Sequence, residues 1–158
     1  MGEIIFRRMT LEDVGKVAET DKICFGADGW DEDFFIDELS DKNSEYIVGE
    51  IDGKIVACNG IKFHRNAAYN MTIAVLPEFQ GRGIGEKILS VSIKRAKNHG
   101  AKYMTLEVRV DNVPALQLYK KFGFQIIGRI KKYYMGGEDA FTMYANFEDL
   151  KCKLLSDK

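Results

Sequence analysis

The sequence predicts an α/β (α+β) fold: one domain over residues 1–158, built on a mixed, mostly antiparallel seven-stranded sheet with helices on both faces. Three observations carry this expectation. Runs rich in β-branched and aromatic residues recur seven times, helical patterns separate several of them, and one run ends in glycines that lead directly into a helix. The length suits a single core, and no linker, repeat or low-complexity stretch interrupts it.

In chain order, residues 3–8 read as a strand, and Thr10-Leu11-Glu12-Asp13 reads as a capped helix start leading into Val14, Val17 and Ala18. A second, short helix runs from Asp31 to about Leu39. Residues 46–51 and 54–58 flank Asp52-Gly53, the strongest hairpin signal in the chain, because both turn residues tolerate positive φ. Residues 69–75 form the strand before the glycines, and the helix beyond them ends near Asn98-His99-Gly100, where Gly100 suits a left-handed cap. Residues 103–110 are the next strand. Asn112 then caps a helix with Pro114 in its first turn, and Gly123 stops it. Residues 124–134 and 141–147 close the sheet as a hairpin around Gly136-Gly137, and the tail from Glu148 reads as a frayed helix. His64 and His99 fall at element ends and read as structural.

Lys and Arg number 23 against 24 Asp and Glu, so a formal charge of −1 offers no basic field for nucleic acid. Cys24, Cys58 and Cys152 are odd in number, far apart and without Cys-x-x-Cys spacing. That pattern argues against a disulfide framework or metal site and for a reducing compartment, with each cysteine acting as a small apolar residue. No apolar run reaches membrane-span length, and Met1-Gly2-Glu3 lacks the start of a signal peptide. The expected address is the cytoplasm, with no membrane partner.

Gln80-Gly81-Arg82-Gly83-Ile84-Gly85 lies between Thr72-Ile73-Ala74-Val75 and a helical pattern through Ile88, Leu89 and Ala96. The first turn of a helix carries unpaired N–H groups and the positive end of the helix dipole, so an anion placed there gains both. Arg82 and Lys87 add local charge. A Walker loop needs Lys and then Ser or Thr after its last glycine, and Glu86-Lys87 stand there instead. The dinucleotide fingerprint needs a third glycine where Glu86 or Ile88 stands, although Glu107 lies at about the right distance for a ribose-binding acid. Taken alone, the loop is either a phosphate site or a glycine-rich surface turn.

Its surroundings resemble the GNAT acyltransferases. Gln80, Gly83 and Gly85 fill the positions of that family's acyl-CoA pyrophosphate loop, and residues 73–85 look like its whole strand, loop and helix start. Leu106-Glu107-Val108-Arg109, Asn112, Leu118-Tyr119, Gly123-Phe124, Tyr133-Tyr134, Asp139-Ala140 and Met143 look like its second half, in the order of the RimI-type branch that acetylates protein N-termini. The resemblance covers essentially the whole chain. It implies the GNAT acyl-CoA N-acyltransferase fold, acetyl-CoA as cosubstrate without a metal, and a protein or peptide N-terminus as acceptor. A monomer or weak homodimer is the expected assembly. The cofactor contacts it implies are Ile73, Ala74, Val75, Gln80, Gly81, Arg82, Gly83, Ile84, Gly85, Glu86 and Asn112. One backbone N–H of Ile73-Ala74-Val75 would hold the acetyl oxygen as charge develops on it.

Glu107 is mid-strand on the face shared with Thr105 and Arg109, and its plain reading is a Glu107–Arg109 or water-satisfied pair. The resemblance implies a general base instead. A protein α-amine has a pKa of about 7.7–8.0 against about 10.4 for lysine, so a modest carboxylate acting through water suits an N-terminal acceptor. Tyr119 reads as a core aromatic beside Leu116, Leu118 and Phe122, whereas the resemblance implies the general acid for the CoA thiolate. Asn112 fits both a helix cap and a CoA contact.

Tyr133 and Tyr134 match the aromatic pair that closes over the peptide end, with Phe25 and Trp30 as opposite walls. Ala27-Asp28-Gly29 replaces the Pro that usually precedes that Trp, so the amine pocket departs from the branch pattern. An acidic set, Asp28, Asp31, Glu32, Asp33, Asp37, Glu38 and Asp41, motivates a small cationic amine such as a polyamine as an alternative acceptor. A non-catalytic acyl-CoA-binding module is the third alternative.

Overall fold

The computed structural model describes residues 2–150. Its elements run β1 (Ile4–Arg8), α1 (Val14–Phe25), α2 (Glu32–Ser40), β2 (Ser44–Ile51), β3 (Lys54–His64) and β4 (Ala67–Val75). They continue as α3 (Ile84–Asn98), β5 (Tyr103–Arg109), α4 (Val113–Phe122), β6 (Gln125–Ile130) and β7 (Ala140–Asn146). The strands form a mixed seven-stranded sheet of order β1-β2-β3-β4-β5-β7-β6. β1–β2, β2–β3, β5–β7 and β6–β7 are antiparallel, while Ala67–Tyr69 of β4 pairs in parallel with residues 103–105 of β5. The fold class and seven strands are those the sequence predicts. The chain divides into two compact units, one taking it up to Lys62 and Met71–Ser92, the other taking Phe63–Asn70 and the described chain from Ile93 on.

In the first unit the sheet is covered on both faces. Tyr46 and Val48 of β2 share a core with Val17 of α1 and Phe35 of α2, whereas Ile47 and Ile51 share one with Ile84 and Ile88 of α3. The alternation follows the two-residue period of a strand. Asp52 and Gly53 turn β2 into β3 with φ of 51° and 82°, the primed geometry that Asp-Gly permits. β3 runs to His64, six residues beyond the expected end, because its polar residues are satisfied or needed for space. Asn59 donates through Nδ2 to the Thr72 carbonyl at 2.8 Å, and a Cβ at Gly60 would collide with the Tyr46 ring. The Tyr46 hydroxyl in turn donates to Glu38 Oε1 at 2.8 Å.

The start of α1 is held by charge. Arg7 forks onto Asp13 with Nη1–Oδ2 at 2.7 Å and Nη2–Oδ1 at 3.0 Å, and Asp13 Oδ2 also accepts from the Thr10 N–H at 2.7 Å. The Arg7 hydrogen bonds hold the Asp13 carboxyl down at about 2, against an ordinary value of 3.8. A depressed folded-state pKa stabilises above the unfolded value and is lost as pH falls through the folded one. Asp13→Asn should therefore lower Tm by a few degrees at pH 7, and thermal melts should show the deficit shrinking between pH 3.8 and about 2.

The second unit packs Met104 and Leu106 of β5, Met143 of β7 and Phe122 of α4 into a core in which each is 1% exposed or less. Phe63 stacks face to face on His99, centroids 3.7 Å apart. Gly123 ends α4 with φ of 108°. β6 stops at Ile130 instead of running to residue 134. Asp139 takes both the Arg129 Nε, at 2.7 Å, and the Lys132 N–H, at 3.0 Å, and Lys132 turns the chain with φ of 53°. Tyr133 and Tyr134 therefore sit in the β6–β7 loop. β6 ends the strand order, carries a bulge between Ile126 and Gly128, and exposes Ile126, Ile127 and Ile130. Residues 147–149 form a 3-10 turn where a frayed helix was expected, and the remainder of that tail, with Cys152, lies outside the described residues.

Candidate active site

In the first unit, β4 delivers the chain to the glycine loop. Ala74 is buried toward α1 and α2, while Ile73 and Val75 pack on the α3 side. The Val75 carbonyl is held twice, by Gln80 Nε2 at 2.9 Å and by the Cys24 thiol at 3.3 Å. Gln80 thus braces the loop with its side chain. Gly81 and Gly83 both have φ of 80°, a left-handed conformation in which a Cβ is strained even with open space around it. Arg82 donates to the Glu78 carbonyl at 3.1 Å and lies over the Phe79 ring at 5.1 Å. Ile84 is buried and anchors the start of α3. The first ladder bond runs from the Lys87 N–H to the Gly83 carbonyl at 3.1 Å, so the N–H groups of Gly83, Ile84 and Gly85 precede the ladder. Together with the dipole of α3 they can cradle an anion.

The same unit holds Phe25 and Trp30. Both pack on the core of α1 and α2, and Trp30 stacks on Phe34 with centroids 4.3 Å apart. The acidic set nearby is partly engaged. Glu38 is buried, accepting from Tyr46 and Ser44 and pairing with Lys62 at 2.8 Å; Asp41 pairs with Lys62 at 3.3 Å, and Asp31 caps α2.

In the second unit, Glu107 is half-buried on β5. Burial raises its pKa above the ordinary carboxylate value, and the nearby Tyr133 hydroxyl partly offsets this. Arg109 does not pair with Glu107. It forks onto Asp111 at 3.0 Å, reaches Glu138 at 3.5 Å and lies over the Tyr134 ring at 5.8 Å. Asp111, Arg109 and Asp139 therefore pin the β6–β7 loop, and the Asp139 carbonyl accepts the Val110 N–H at 3.1 Å. Tyr133 meets Tyr134 edge-on at 4.9 Å.

Tyr119 is buried on α4 against Phe124, with centroids 5.7 Å apart. Burial, then the neighbouring Tyr134, pushes its phenol well above the ordinary value. Asn112 caps α4 by accepting from the Ala115 N–H at 3.2 Å, which leaves its side-chain amide hydrogens outside the cap. Of the sequence-predicted residues, Gln80 and Val75 are hydrogen-bonded, and Tyr133 and Tyr134 are in ring contact.

Sequence reasoning passed over Asp21 and gave Thr72 no role, read Cys24 only as a small apolar residue, and read Arg109 only as a possible partner of Glu107. The signal for Asp21 was available: Val14, Val17, Ala18 and Asp21 follow the 3.6-residue period, so a carboxylate occupies the apolar stripe of α1. Among the described residues, no group of three or more His, Cys, Asp or Glu side chains is placed to hold a metal, and no helix is long and apolar enough to cross a membrane.

The first unit thus offers a strand, glycine loop and helix start able to cradle an anion, and the second unit holds a half-buried carboxylate and a buried phenol. The sequence model of the acetyltransferase (GNAT) family matches residues 12–124, and the chain belongs to that family. Enzymes of this family use acetyl-CoA. The chain is 35% identical over 144 residues to a putative ribosomal protein bS18 alanine N-acetyltransferase of Bacillus subtilis, covering 90% of this chain and 95% of that one. It is 37% identical to the N-alpha-acetyltransferase RimI of Mycobacterium tuberculosis, covering 85% and 87% respectively. The crystal structure of the ribosomal-protein-S18-alanine N-acetyltransferase from Escherichia coli shares the fold with a TM-score of 0.83 at 24% identity, covering 91% of this chain and 94% of that one.

Proposed function

We propose that this protein transfers the acetyl group of acetyl-CoA to the α-amino group of a protein or peptide N-terminus, by direct attack in a ternary complex. The observation that carries the proposal is Glu107, a half-buried carboxylate on β5 whose pKa burial raises, in a chain related to N-alpha-acetyltransferases. The amine must be neutral to attack. Glu107 accepts its proton through water, a small task for a group whose own pKa is about 7.7–8.0. Backbone N–H groups of Ile73, Ala74 or Val75 hold the acetyl oxygen as it gains charge. Tyr119, still protonated at neutral pH, gives its proton to the sulfur as the carbon–sulfur bond breaks, so the acetyl carbon gains nitrogen and loses thiol. Gln80, Gly81, Arg82, Gly83, Ile84, Gly85 and Glu86 line the pyrophosphate cradle, and Asn112 adds an amide contact to CoA. Phe25, Trp30, Tyr133 and Tyr134 receive the first residues of the acceptor.

The family match runs through both compact units, which supports a single catalytic domain over residues 1–158. A cytoplasmic monomer or weak homodimer, with neither nucleic acid nor membrane as partner, completes the proposal. The engagement of Glu38 and Asp41 by Lys62 weighs against a polyamine site on the acidic set.

Thiol release from acetyl-CoA with free peptides, N-terminally blocked lysine peptides and spermidine tests the proposal. Release with free N-termini is expected; release only with blocked peptides or spermidine, or with no amine at all, overturns it. Gly83→Ala is expected to raise the KM for acetyl-CoA about tenfold at near-normal peptide KM, because a Cβ at φ of 80° costs about 1–2 kcal/mol in the conformation that aims the loop's N–H groups. Steady-state kinetics with each substrate varied in turn will show it.

A further inference from the structure

Asp21 is a buried acid for which the proposed chemistry has no use. It lies on the apolar stripe of α1 at 1% exposure, where an aliphatic side chain would pack without losing hydration. Its two oxygens are each committed. Oδ1 accepts from the Thr72 hydroxyl of β4 at 2.8 Å, and Oδ2 accepts from the Trp30 N–H at 2.8 Å. The titratable groups that feel its charge are Tyr46 on β2, Cys58 on β3 and Cys24 on α1, all held protonated at neutral pH by burial.

The segment that Asp21 ties down is short and laid tightly on the helix. Gly26 leaves α1 with φ of 60°, and Gly29 approaches so closely that a Cβ would meet the Asp21 carbonyl oxygen at 2.8 Å and Lys22 Cα at 2.9 Å. Trp30 follows directly, its ring flat against Phe34. One carboxylate thus connects the backbone at Trp30 to β4 two residues before Ala74. The Thr72 carbonyl on the other side is taken by Asn59 Nδ2 at 2.8 Å, so this end of the connection is fixed as well.

We infer that Asp21 is a positioning residue for acceptor selection: through Thr72 and the Trp30 N–H it fixes the Phe25 and Trp30 wall against β4, and so sets which first residue the enzyme accepts. The inference rests on the proposed N-terminal acceptor, but its physical core does not. Trp30 is the only tryptophan of the chain, so intrinsic fluorescence reports this segment directly, without any acceptor.

The test compares the wild type with Asp21→Ala, Asp21→Asn and Thr72→Val in acrylamide quenching of Trp30 and in kinetics on peptides with different first residues. Asp21→Ala removes both acceptors. It should raise the quenching constant about twofold and the peptide KM about tenfold, flatten the preference among first residues, and leave the KM for acetyl-CoA within about twofold. Asn can accept from Trp30 with its oxygen and donate to Thr72 with its amide, so Asp21→Asn should recover most of each effect. Thr72→Val should fall between. Unchanged quenching in Asp21→Ala, equal changes in both KM values, or no recovery by Asn would overturn the inference. If Asp21→Ala does not fold, Thr72→Val decides: unchanged quenching and unchanged peptide KM would overturn it. If the wild type acetylates no free N-terminus, the functional proposal fails, while the quenching series still decides whether Asp21 holds Trp30.

Discussion

Glu107→Gln will be folded, no less heat-stable than the parent at pH 7, and slower by about 100-fold in kcat/KM. The rate effect follows from removing the base while keeping its shape, since glutamine is nearly isosteric with glutamate. The stability effect follows from burial, which raises the Glu107 pKa above its ordinary value of 4.5. A group whose folded-state pKa is raised contributes stability below its unfolded value and loses it as pH rises through the folded one. At pH 7 the ionised carboxylate is therefore a cost that the amide escapes. Melts from pH 4 to pH 8 should show the variant's advantage appear above 4.5 and grow until Glu107 is fully ionised. The acid limb of kcat/KM in the parent should lie above 4.5 and be missing in the variant, which keeps only the ionisation of the amine. A folded variant with full activity would remove Glu107 from the chemistry.

Tyr119→Phe should be the next most damaging conservative change, lowering kcat about tenfold or more while both KM values hold. The ring packs against Phe124 and survives the substitution, so the core of the second unit is unaffected. What goes is one proton, kept on the phenol at neutral pH because burial and Tyr134 disfavour the phenolate. The deficit should depend on the leaving group. An acetyl thioester of an aromatic thiol, which departs as a stabilised anion, should react almost equally with parent and variant; acetyl-CoA should not. An equal deficit on both donors would make Tyr119 a packing residue.

Much of this was legible in the sequence because it depends on local rules. Asp52-Gly53, Asn112 with Pro114, Gly100 and Gly123 each specify a backbone conformation by themselves, and all four act as expected. The glycine loop was legible for the same reason. The pairings were not. Arg109 is two residues from Glu107 on the same face, yet it turns to Asp111 in the turn after β5 and to the Glu138 carboxylate and Tyr134 ring that the β6–β7 loop brings to it. That loop is itself cut short by Asp139, through bonds to Arg129 and Lys132 that no spacing reveals. The polar middle of β3 hid a strand because Asn59 and Gly60 are satisfied only by β4 and by the Tyr46 ring. Asp21 showed as an anomaly in a helical pattern, but its meaning required Thr72 and Trp30, 51 and 9 residues away.

The bulge in β6 bears on how the molecule behaves in a crowded solution. β6 ends the strand order with three exposed isoleucines, the arrangement most able to template a strand from another chain. The extra residue between Ile126 and Gly128 breaks the regular spacing of β6 and twists it away from a flat edge, while Arg129 adds a charge beside it. Colloidal solubility at high concentration therefore rests on a local irregularity at the end of the strand order, and a variant that straightened β6 would trade it for self-association.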